Sequence, residues 1–541
     1  MALARDVDPE ELVARLHDAH LTEGGQELRK LMTTSHLTPY NTKYASEANV
    51  PKYELPKEGA PADTVYQLVR DELDLDGRPN LNLASFVSTY MEPNANQLMT
   101  ENLNKNLADH DEYPAMVAIH ERCVSILAHL WGAIKGEQAV GSVTTGSSEG
   151  VLLGGLAMKR RWQEYRKSKG LDTLHPNIIM GANAQVALEK FARYFDVEAR
   201  ILPVSKESKH RLDPKLVKEN VDGNTIGVFV IMGSTYTGHY EPVEEISKIL
   251  DEYQERTGLD IPIHVDAAGG GFVAPFACAE AGGPRWNFQL PRVKSINTSG
   301  HKYGLVYPGV GWVIWRDESY LPKHLIFELH YLGGTEKSFT LNFSRPGAQT
   351  TVQYYNLIHL GFNGYREIIE NCLTNARLLS KSLEATGWYT CVSEIHKRKP
   401  ATARSVIAGK TSANYEAGLP VVAFRLSDDF KGKFSHIKQE SVALLMRARQ
   451  WIIPNYALPP GEDKTEILRV VVRESMTFDL VDRLISDLVS VTQTLIDSDE
   501  VDLSVLQFRS AGSAGAQHDS KQPTEKGISK RMEGGIHRTV C

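Results

Sequence analysis

The sequence predicts an α/β fold with a largely parallel sheet, followed by a smaller α+β domain. Between about residues 61 and 350, short apolar runs typical of buried strands alternate with helical patterns, as they do in parallel sheets. From about residue 388 the pattern changes to two strand-like runs with helices between and after them. The 541 residues also exceed one ordinary core, so we expect a large domain with flanking pieces.

Four segments follow one another along the chain. Residues 1–60 are polar, with one short amphipathic stretch, and are predicted to be an N-terminal arm. Residues 61–387 are predicted to be the large domain, with strands "NIIMGA", "IGVFVIMG", "IPIHVDAAG", "VKSINTSG" and "GVGWVIWRD", and helices "MVAIHERCVSILAHLWGAI", "GVLLGGLAMKRRWQEYRKS" and "PVEEISKILDEYQERTG". Residues 388–505 follow a long helix and contain the strands "LPVVAFRLS" and "EILRVVVRES" of a small C-terminal domain. Residues 506–541 are rich in small and polar residues, which predicts a disordered tail.

The composition excludes several classes of function. With 42% hydrophobic and 23% charged residues and a net charge of −7, the chain has no global attraction to nucleic acid or to an anionic membrane. It has neither a run of about 18 apolar residues nor a secretory signal, so no membrane span is expected. Five scattered cysteines without paired spacing indicate reduced thiols in the cytoplasm, and neither disulfides nor a metal site.

Three chemically distinctive segments come at the predicted carboxyl ends of strands, where ligands bind in parallel α/β sheets. They are "TTGSSEG" (144–150), "HVDAAGGG" (264–271) and "NTSGHKYG" (297–304). In the first segment, Gly146, Ser147 and Ser148 precede a helix that is predicted to start at about Glu149. The free backbone N–H groups at the helix start and the two serine hydroxyls together suit an anion. Taken on its own, that segment is better explained as a simple serine N-cap, because serine is a preferred residue at that position.

The other two segments supply charged groups. Asp266 ends a buried strand, where a carboxylate needs a cationic or donor partner, although it could also cap a neighbouring loop. Lys302 lies in a surface turn or in a partly apolar cleft, and in a cleft its lowered pKa would make it an amine nucleophile for carbonyls. Together the three segments suit a ligand with a phosphate, a basic ring nitrogen and an aldehyde. Pyridoxal 5'-phosphate has all three groups.

The motifs also carry a resemblance to a known family. "HVDAA" and "SGHKYG" are similar to the pyridoxal-phosphate-dependent amino-acid decarboxylases of group II. More closely, "LNLASF", "EYPAMVAIHERCVSILAHLW", "GSSEG", "EKFARYFDVE", "TYTGHYE", "RVKSINTSGHKYG", "GWVIWRD", "YLGG" and "NFSRPG" resemble the glutamate decarboxylases of bacteria, plants and fungi, in one register from about residue 30 to 500. The resemblance implies a type I pyridoxal-phosphate-dependent transferase-like fold, with a mostly parallel sheet of the seven-stranded type and a small α+β C-terminal domain.

The resemblance also implies roles for the cofactor site. Lys302 would hold the cofactor covalently, and Asp266 would pair with the pyridine nitrogen. Gln185 would stack on the ring face, where other branches of the family use histidine, and Thr235 would contact the ring edge. The residues expected around the phosphate are Ser147, Ser148, Ser299 and His301, with Ser344 reaching the phosphate of a partner subunit.

For the substrate, the resemblance implies two groups of residues. Ser85, where bacterial relatives have threonine, would bind the distal carboxylate of L-glutamate with Phe86, Asn106 and Asp109. Arg469 would bind the α-carboxylate. Without the family, we would interpret Asn106 and Asp109 as polar residues on a helix surface and Arg469 as a charge at a strand edge. A further residue, Tyr331, is expected in a loop that closes over the site and helps protonation.

The implied activity is the decarboxylation of L-glutamate to 4-aminobutyrate and CO2. Alternatives are a decarboxylase for aspartate or an aromatic amino acid, a carbon–carbon lyase for a phosphorylated long-chain base, and a non-catalytic binding protein. We expect a cytoplasmic homodimer, or a homohexamer built from dimers. Plant relatives carry a calmodulin-binding extension, but this tail has no tryptophan and few apolar anchors, so a solvated tail is favoured over calmodulin binding.

Overall fold

The computed structural model describes residues 55–57, 59–134, 136–277, 283–329, 336–400 and 412–498. Residues 78–508 form one compact unit, and the other unit, residues 1–77 with 509–541, contributes the helix Ala62–Leu73 to the described part. The predicted N-terminal arm and tail therefore lie almost entirely outside the described residues, as does Tyr331. Within these ranges, no helix is both long and apolar enough to cross a lipid bilayer.

The larger sheet has seven strands within the described part of the chain, in the spatial order β1-β7-β6-β5-β4-β2-β3. Strands β3, β2, β4, β5 and β6 run parallel to one another, whereas β7 is antiparallel to both β6 and β1. This confirms the mostly parallel sheet. The strands are β1 (Val140–Thr144), β2 (Asn177–Gly181), β3 (Glu198–Leu202), β4 (Thr225–Ile231), β5 (Ile263–Asp266), β6 (Val293–Ser299) and β7 (Gly311–Trp315).

Both faces of this sheet are covered, which explains why its central strands are continuous apolar runs. Every residue of β4 is buried. Its alternate residues enter different cores, with Val228 and Val230 on one face and Phe229 and Ile231 on the other. The helices of this part are Pro93–Glu101, Pro114–Leu130, Ser147–Ser168, Val186–Tyr194, Pro214–Asn220, Val243–Thr257, Ala274–Ala277 and Ala348–Ala385.

The helix Ser147–Ser168 positions the site because it packs directly on the central strands. It begins at Ser147, two residues before the predicted start, and Gly146 is its N-cap residue. The long helix Ala348–Ala385 confirms the helix expected before residue 388. It is interrupted at Gly361, whose φ of 58° and ψ of −170° are accessible to glycine but strained for other residues.

A second, antiparallel sheet follows and has four strands among the described residues, in the order β10-β11-β13-β12. It packs with the helices Gln439–Ala448 and Phe478–Asp497 around an apolar core of its own. This confirms the small α+β C-terminal part, while the boundary at residue 388 stays a prediction. The remaining elements are the hairpin β8 (Phe327–Leu329) and β9 (Glu336–Ser338), the strands β10 (Tyr389–Cys391), β11 (Val421–Leu426), β12 (Asn455–Ala457) and β13 (Glu466–Val471), and the helix Asp428–Lys433.

Candidate active site

The three chemically distinctive segments meet at the carboxyl edge of the larger sheet. Asp266 is the last residue of β5 and lies beside Asn297 of the parallel strand β6. The Asn297 amide nitrogen donates to Asp266 Oδ1 at 2.9 Å and lies 3.3 Å from the Ser147 carbonyl oxygen. A Cβ atom added to Gly146 would lie 3.1 Å from His301 Cε1, so the helix start and the lysine turn are in contact.

Asp266 is a buried carboxylate with one oxygen available. Asn297 and the backbone N–H of Ala268 both donate to its Oδ1, the latter at 3.1 Å. Burial raises the pKa of Asp266, while the positive charge of Lys302 and these hydrogen bonds lower it. No other hydrogen bond to this carboxylate comes from the described residues, so Oδ2 can accept a proton-bearing ring nitrogen.

Lys302 has the environment of a nucleophilic amine. Its side chain is half-buried, and its Nζ lies 5.4 Å from the centroid of the Phe86 ring. Burial lowers the pKa of Lys302, against the opposing effect of Asp266, and the positive charge of Arg469 lowers it further. A lysine with a lowered pKa gives up its proton more readily than a fully solvated one, and the neutral amine is the form that attacks a carbonyl.

An anion-binding cradle lies beside this lysine. Ser299 Oγ and His301 Nδ1 are buried without a hydrogen-bond partner among the described residues. Burial, helped by the charge of Lys302, lowers the pKa of His301 to about 4, so its ring is neutral at pH 7. The helix that begins at Ser147 has no side-chain cap in this part of the structure, and Ser148 next to it is exposed. Two buried orphan atoms next to an uncapped helix start suit a phosphate.

Arg469 reaches the same site from the second sheet. Its Nη1 donates to the Thr235 carbonyl at 2.7 Å, and its Nη2 donates to the Ala84 carbonyl. The guanidinium lies 5.1 Å from the centroid of the Phe86 ring. Because Arg469 is only 7% exposed, its interpretation as a surface charge at a strand edge is wrong. Arg469 and Lys302 therefore place two cationic groups against one aromatic ring.

Two other expected site residues have local hydrogen bonds of their own. Gln185 is the N-cap of the helix Val186–Tyr194, and its Oε1 accepts from Ala187 N at 2.7 Å. Ser85 Oγ accepts from Val87 N at 3.2 Å. These contacts order the segments next to the site, while stacking by Gln185 and substrate binding by Ser85 stay predictions.

The remaining expected residues also have hydrogen bonds of their own. Asn106 donates to Ser344 Oγ at 3.3 Å and accepts from the Arg345 backbone N–H at 3.0 Å. Asp109 accepts from the Glu112 backbone N–H at 3.1 Å. Within the described ranges, neither Asn106 nor Asp109 forms a hydrogen bond or ion pair with Lys302 or with the segment of Phe86. Binding of the distal carboxylate by Asn106 and Asp109 therefore stays a prediction.

Sequence reasoning missed the residues behind Asp266. We assigned no role to Asn297, although it lies in "NTSGHKYG", nor to His264 in "HVDAAGGG". His264 and Asp266 are two residues apart on a strand, and so are Ser295 and Asn297 on the next strand. That period of two is the signal that could have placed all four on one face.

The described residues fit pyridoxal phosphate. Asp266 Oδ2 can pair with a protonated ring nitrogen, Lys302 can bind an aldehyde, and Ser299 and His301 have unused polar atoms for a phosphate. When bound, this cofactor withdraws electrons from a bond at the α-carbon of an amino acid. The donor set of the site therefore matches each of the three groups that the cofactor presents.

Comparisons with known proteins agree with this fit. A family model described as the pyridoxal-dependent decarboxylase conserved domain matches residues 55–399. A glutamate decarboxylase of Saccharomyces cerevisiae is 48% identical over 475 residues, which cover 84% of this chain and 81% of the relative. The solved glutamate decarboxylase of Lactobacillus brevis has a TM-score of 0.77 and 39% identity, covering 86% of this chain and 100% of that chain. A sphingosine-1-phosphate lyase of Burkholderia pseudomallei, with a TM-score of 0.65, 21% identity and coverage of 84% and 95%, shares the fold alone.

Proposed function

Because the chain belongs to the pyridoxal-dependent decarboxylase family, we propose that it decarboxylates L-glutamate to 4-aminobutyrate and CO2. Its cofactor is pyridoxal phosphate. The observation that carries the proposal is the convergence of Lys302 and Arg469 on the Phe86 ring, 5.4 Å and 5.1 Å from its centroid. The identity of the substrate is inferred from the glutamate decarboxylases that match the chain at 42–48% identity.

Arg469 binds the α-carboxylate of the substrate in this proposal. Its Nε is buried without a partner in the described structure, and its two terminal nitrogens are held by the carbonyls of Thr235 and Ala84. A guanidinium fixed on two sides presents its remaining N–H groups in a set direction, as carboxylate binding requires. Phe86 forms an apolar wall that excludes water next to both cations.

Lys302 provides the amine and moves a proton. Its lowered pKa lets Nζ give up a proton to act as a nucleophile and later carry one to the substrate α-carbon. The bond from the α-carbon to its carboxylate breaks, CO2 leaves, and a proton takes its place. One proton is consumed per turnover, so we expect faster turnover at acidic pH. Asp266 stays ionised to keep the ring nitrogen protonated, and Tyr331, outside the described residues, stays proposed as an aid to protonation.

Product analysis tests this function. Purified protein with pyridoxal phosphate receives glutamate, aspartate and aromatic amino acids separately, and CO2 and amine are measured. CO2 and 4-aminobutyrate from glutamate alone, abolished in Lys302→Ala, is the expected result. Lys294→Ala is the matched control and should remain active, because Lys294 lies on the strand Val293–Ser299 that precedes Lys302 and its Nζ donates to the Tyr320 hydroxyl at 3.0 Å. CO2 from another amino acid would keep the cofactor chemistry and refute the substrate.

The Asn106–Ser344 contact supports a site shared between two subunits. If Ser344 reaches the phosphate of a partner subunit, then Asn106, bonded to it at 3.3 Å, reaches the partner's substrate as well. Ser85 and Phe86 would come from one subunit, and Asn106 and Asp109 from the other. Mixing inactive Lys302→Ala with inactive Asn106→Ala should then restore activity, because some mixed dimers carry one intact site. No recovery after verified subunit exchange would contradict the shared site.

Two proposals concern regions outside the described residues. We expect residues 506–541, which the sequence predicts to be a solvated tail, to have no calcium-dependent effect on activity. Activation of the full chain by calcium and calmodulin, lost after truncation at about residue 505, would show the opposite. A cytoplasmic location stays a prediction from the scattered cysteines.

A further inference from the structure

Four buried polar side chains form a block beneath the carboxyl edge of the larger sheet. His264 and Asp266 lie two residues apart on β5, and Ser295 and Asn297 lie two residues apart on β6. The parallel register pairs His264 with Ser295 and Asp266 with Asn297. Because side chains alternate along a strand, all four lie on one face. Each is at most 4% exposed, so unpaired polar atoms here would be costly.

Glycines of the covering helix make room for this block. A Cβ atom on Gly150 would lie 2.8 Å from Asn297 Cβ, and one on Gly154 would overlap the His264 ring. These glycines are one helical turn apart, so the backbone of the helix Ser147–Ser168 lies directly on the block. Phe229 meets the His264 ring edge-on, with centroids 5.4 Å apart. The block is therefore enclosed by backbone and an aromatic ring.

The hydrogen bonds of the block run in one direction, towards Asp266. Asn297 Nδ2 donates to Asp266 Oδ1, so its Oδ1 must be the acceptor at 2.7 Å from His264 Nε2. His264 therefore carries its proton on Nε2, and its Nδ1 accepts from Ser295 Oγ at 2.7 Å. Burial lowers the pKa of His264 to about 4, which keeps the ring in this neutral form at pH 7.

We propose that His264 is a positioning residue, which through Asn297 fixes Asp266 for the ring nitrogen of pyridoxal phosphate. The Asn297 donor occupies Oδ1 together with Ala268 N, which leaves Oδ2 for the cofactor. Donors to a carboxylate favour its charged form, and they oppose the effect of burial on Asp266. A chain of aligned hydrogen bonds strengthens each member. This inference rests on the role proposed above for Asp266.

A matched pair of variants tests the relay, which is the chain of hydrogen bonds from His264 through Asn297 to Asp266. Glutamine and methionine have the same length, but only glutamine keeps a donor where His264 Nε2 stands. The protein is reconstituted with pyridoxal phosphate labelled with 15N in its ring, and the ring-nitrogen shift and the Kd of the cofactor are measured. His264→Met should move the shift towards the unprotonated value and raise the Kd roughly tenfold. His264→Gln should stay close to wild type in both.

Two control variants distinguish a failure of the relay from a failure of the role proposed for Asp266. Thr298→Val removes an equally buried hydrogen bond, from Thr298 Oγ1 to the Ala267 carbonyl at 2.9 Å, and should leave both readouts unchanged. Asp266→Asn should move the ring-nitrogen shift. If it does not, the proposed role of Asp266 fails. If it does while His264→Met matches wild type, the relay alone is refuted.

If His264→Met does not fold, the protonation of the two ring nitrogens of His264 in the wild-type protein tests the proposal instead. With 15N-labelled histidine, the His264 signals are those that disappear in His264→Gln. At pH 7 they should show a protonated Nε2 and an unprotonated Nδ1. The opposite tautomer would mean that His264 cannot donate to Asn297, and it would overturn the proposal.

Discussion

Replacing Arg469 with lysine is the most direct test of the substrate site, because it keeps the charge and removes the planar set of donors. Nη1 and Nη2 of Arg469 each donate to a carbonyl, of Thr235 and Ala84, and its Nε–H has no partner among the described residues. Lysine has three N–H donors at one point, so holding both carbonyls would leave one for the substrate. At least one charge-assisted hydrogen bond is lost.

The expected size of the effect follows from that count. A hydrogen bond to a charged group contributes about 1.5–3 kcal/mol, so kcat/KM for glutamate should fall about 10- to 150-fold. Initial rates of CO2 release over a range of glutamate concentrations measure it. Arg473→Lys is the matched control, since this buried arginine donates to the carbonyls of Val87, Pro79 and Asn82. It should lower stability and leave KM unchanged.

Equal behaviour of the two arginine variants would refute the role of Arg469 in binding the substrate. If Arg469→Lys loses activity only in proportion to its loss of stability, as Arg473→Lys does, then Arg469 merely joins the segments of Ala84 and Thr235. The α-carboxylate would need another cation. A selective rise in KM, with urea unfolding close to wild type, would support the assigned role.

Three further predictions follow from buried groups. Ser299→Ala should weaken pyridoxal phosphate binding about tenfold in equilibrium dialysis, because its orphan Oγ is assigned to the phosphate; an unchanged Kd would contradict this. Gly154→Ala should lower the free energy of unfolding in urea by about 1–3 kcal/mol, since its Cβ would overlap the His264 ring, and a neutral effect would show that the helix can shift. Burial lowers the pKa of His120 to about 3 and of His264 to about 4, from 6.5, so the unfolded chain binds more protons than the folded one between pH 6.5 and 4. The free energy of unfolding should therefore fall as the pH is lowered through that range, by roughly 3 kcal/mol for His264 alone, and a flat profile would count against it.

Much of the fold could be predicted because its strands are buried on both faces. The run from Ile226 to Ile231 is apolar throughout, so its strand can be recognised without any knowledge of its partner strands. Other strands could not be recognised in this way. The strand Glu198–Leu202 lies at the edge of the sheet and has exposed residues, and Val140–Thr144 is mostly half-buried. Their pairing depends on neighbours distant in sequence, which local composition does not encode.

The site was predictable only where it lies at strand ends. Asp266 and Lys302 carry reactive groups next to glycines, and the topology brings them together. Arg469 was harder to place, because it lies within a strand of the second sheet and its approach to Phe86 depends on how distant segments pack. Without the family resemblance, its pattern favoured a surface charge.

Asp266 shows why the residues at a strand end do not determine the chemistry by themselves. Burial alone favours a neutral carboxyl, which could not keep a ring nitrogen protonated. The charged form needs donors, and the side-chain donor comes from Asn297 on the next strand, which is oriented in turn by His264. That arrangement needs a helix close enough to exclude water, and Gly150 and Gly154 permit the approach. A chain with the same strand-end aspartate and lysine but bulky residues at the two glycine positions would therefore be a poor candidate for the same chemistry.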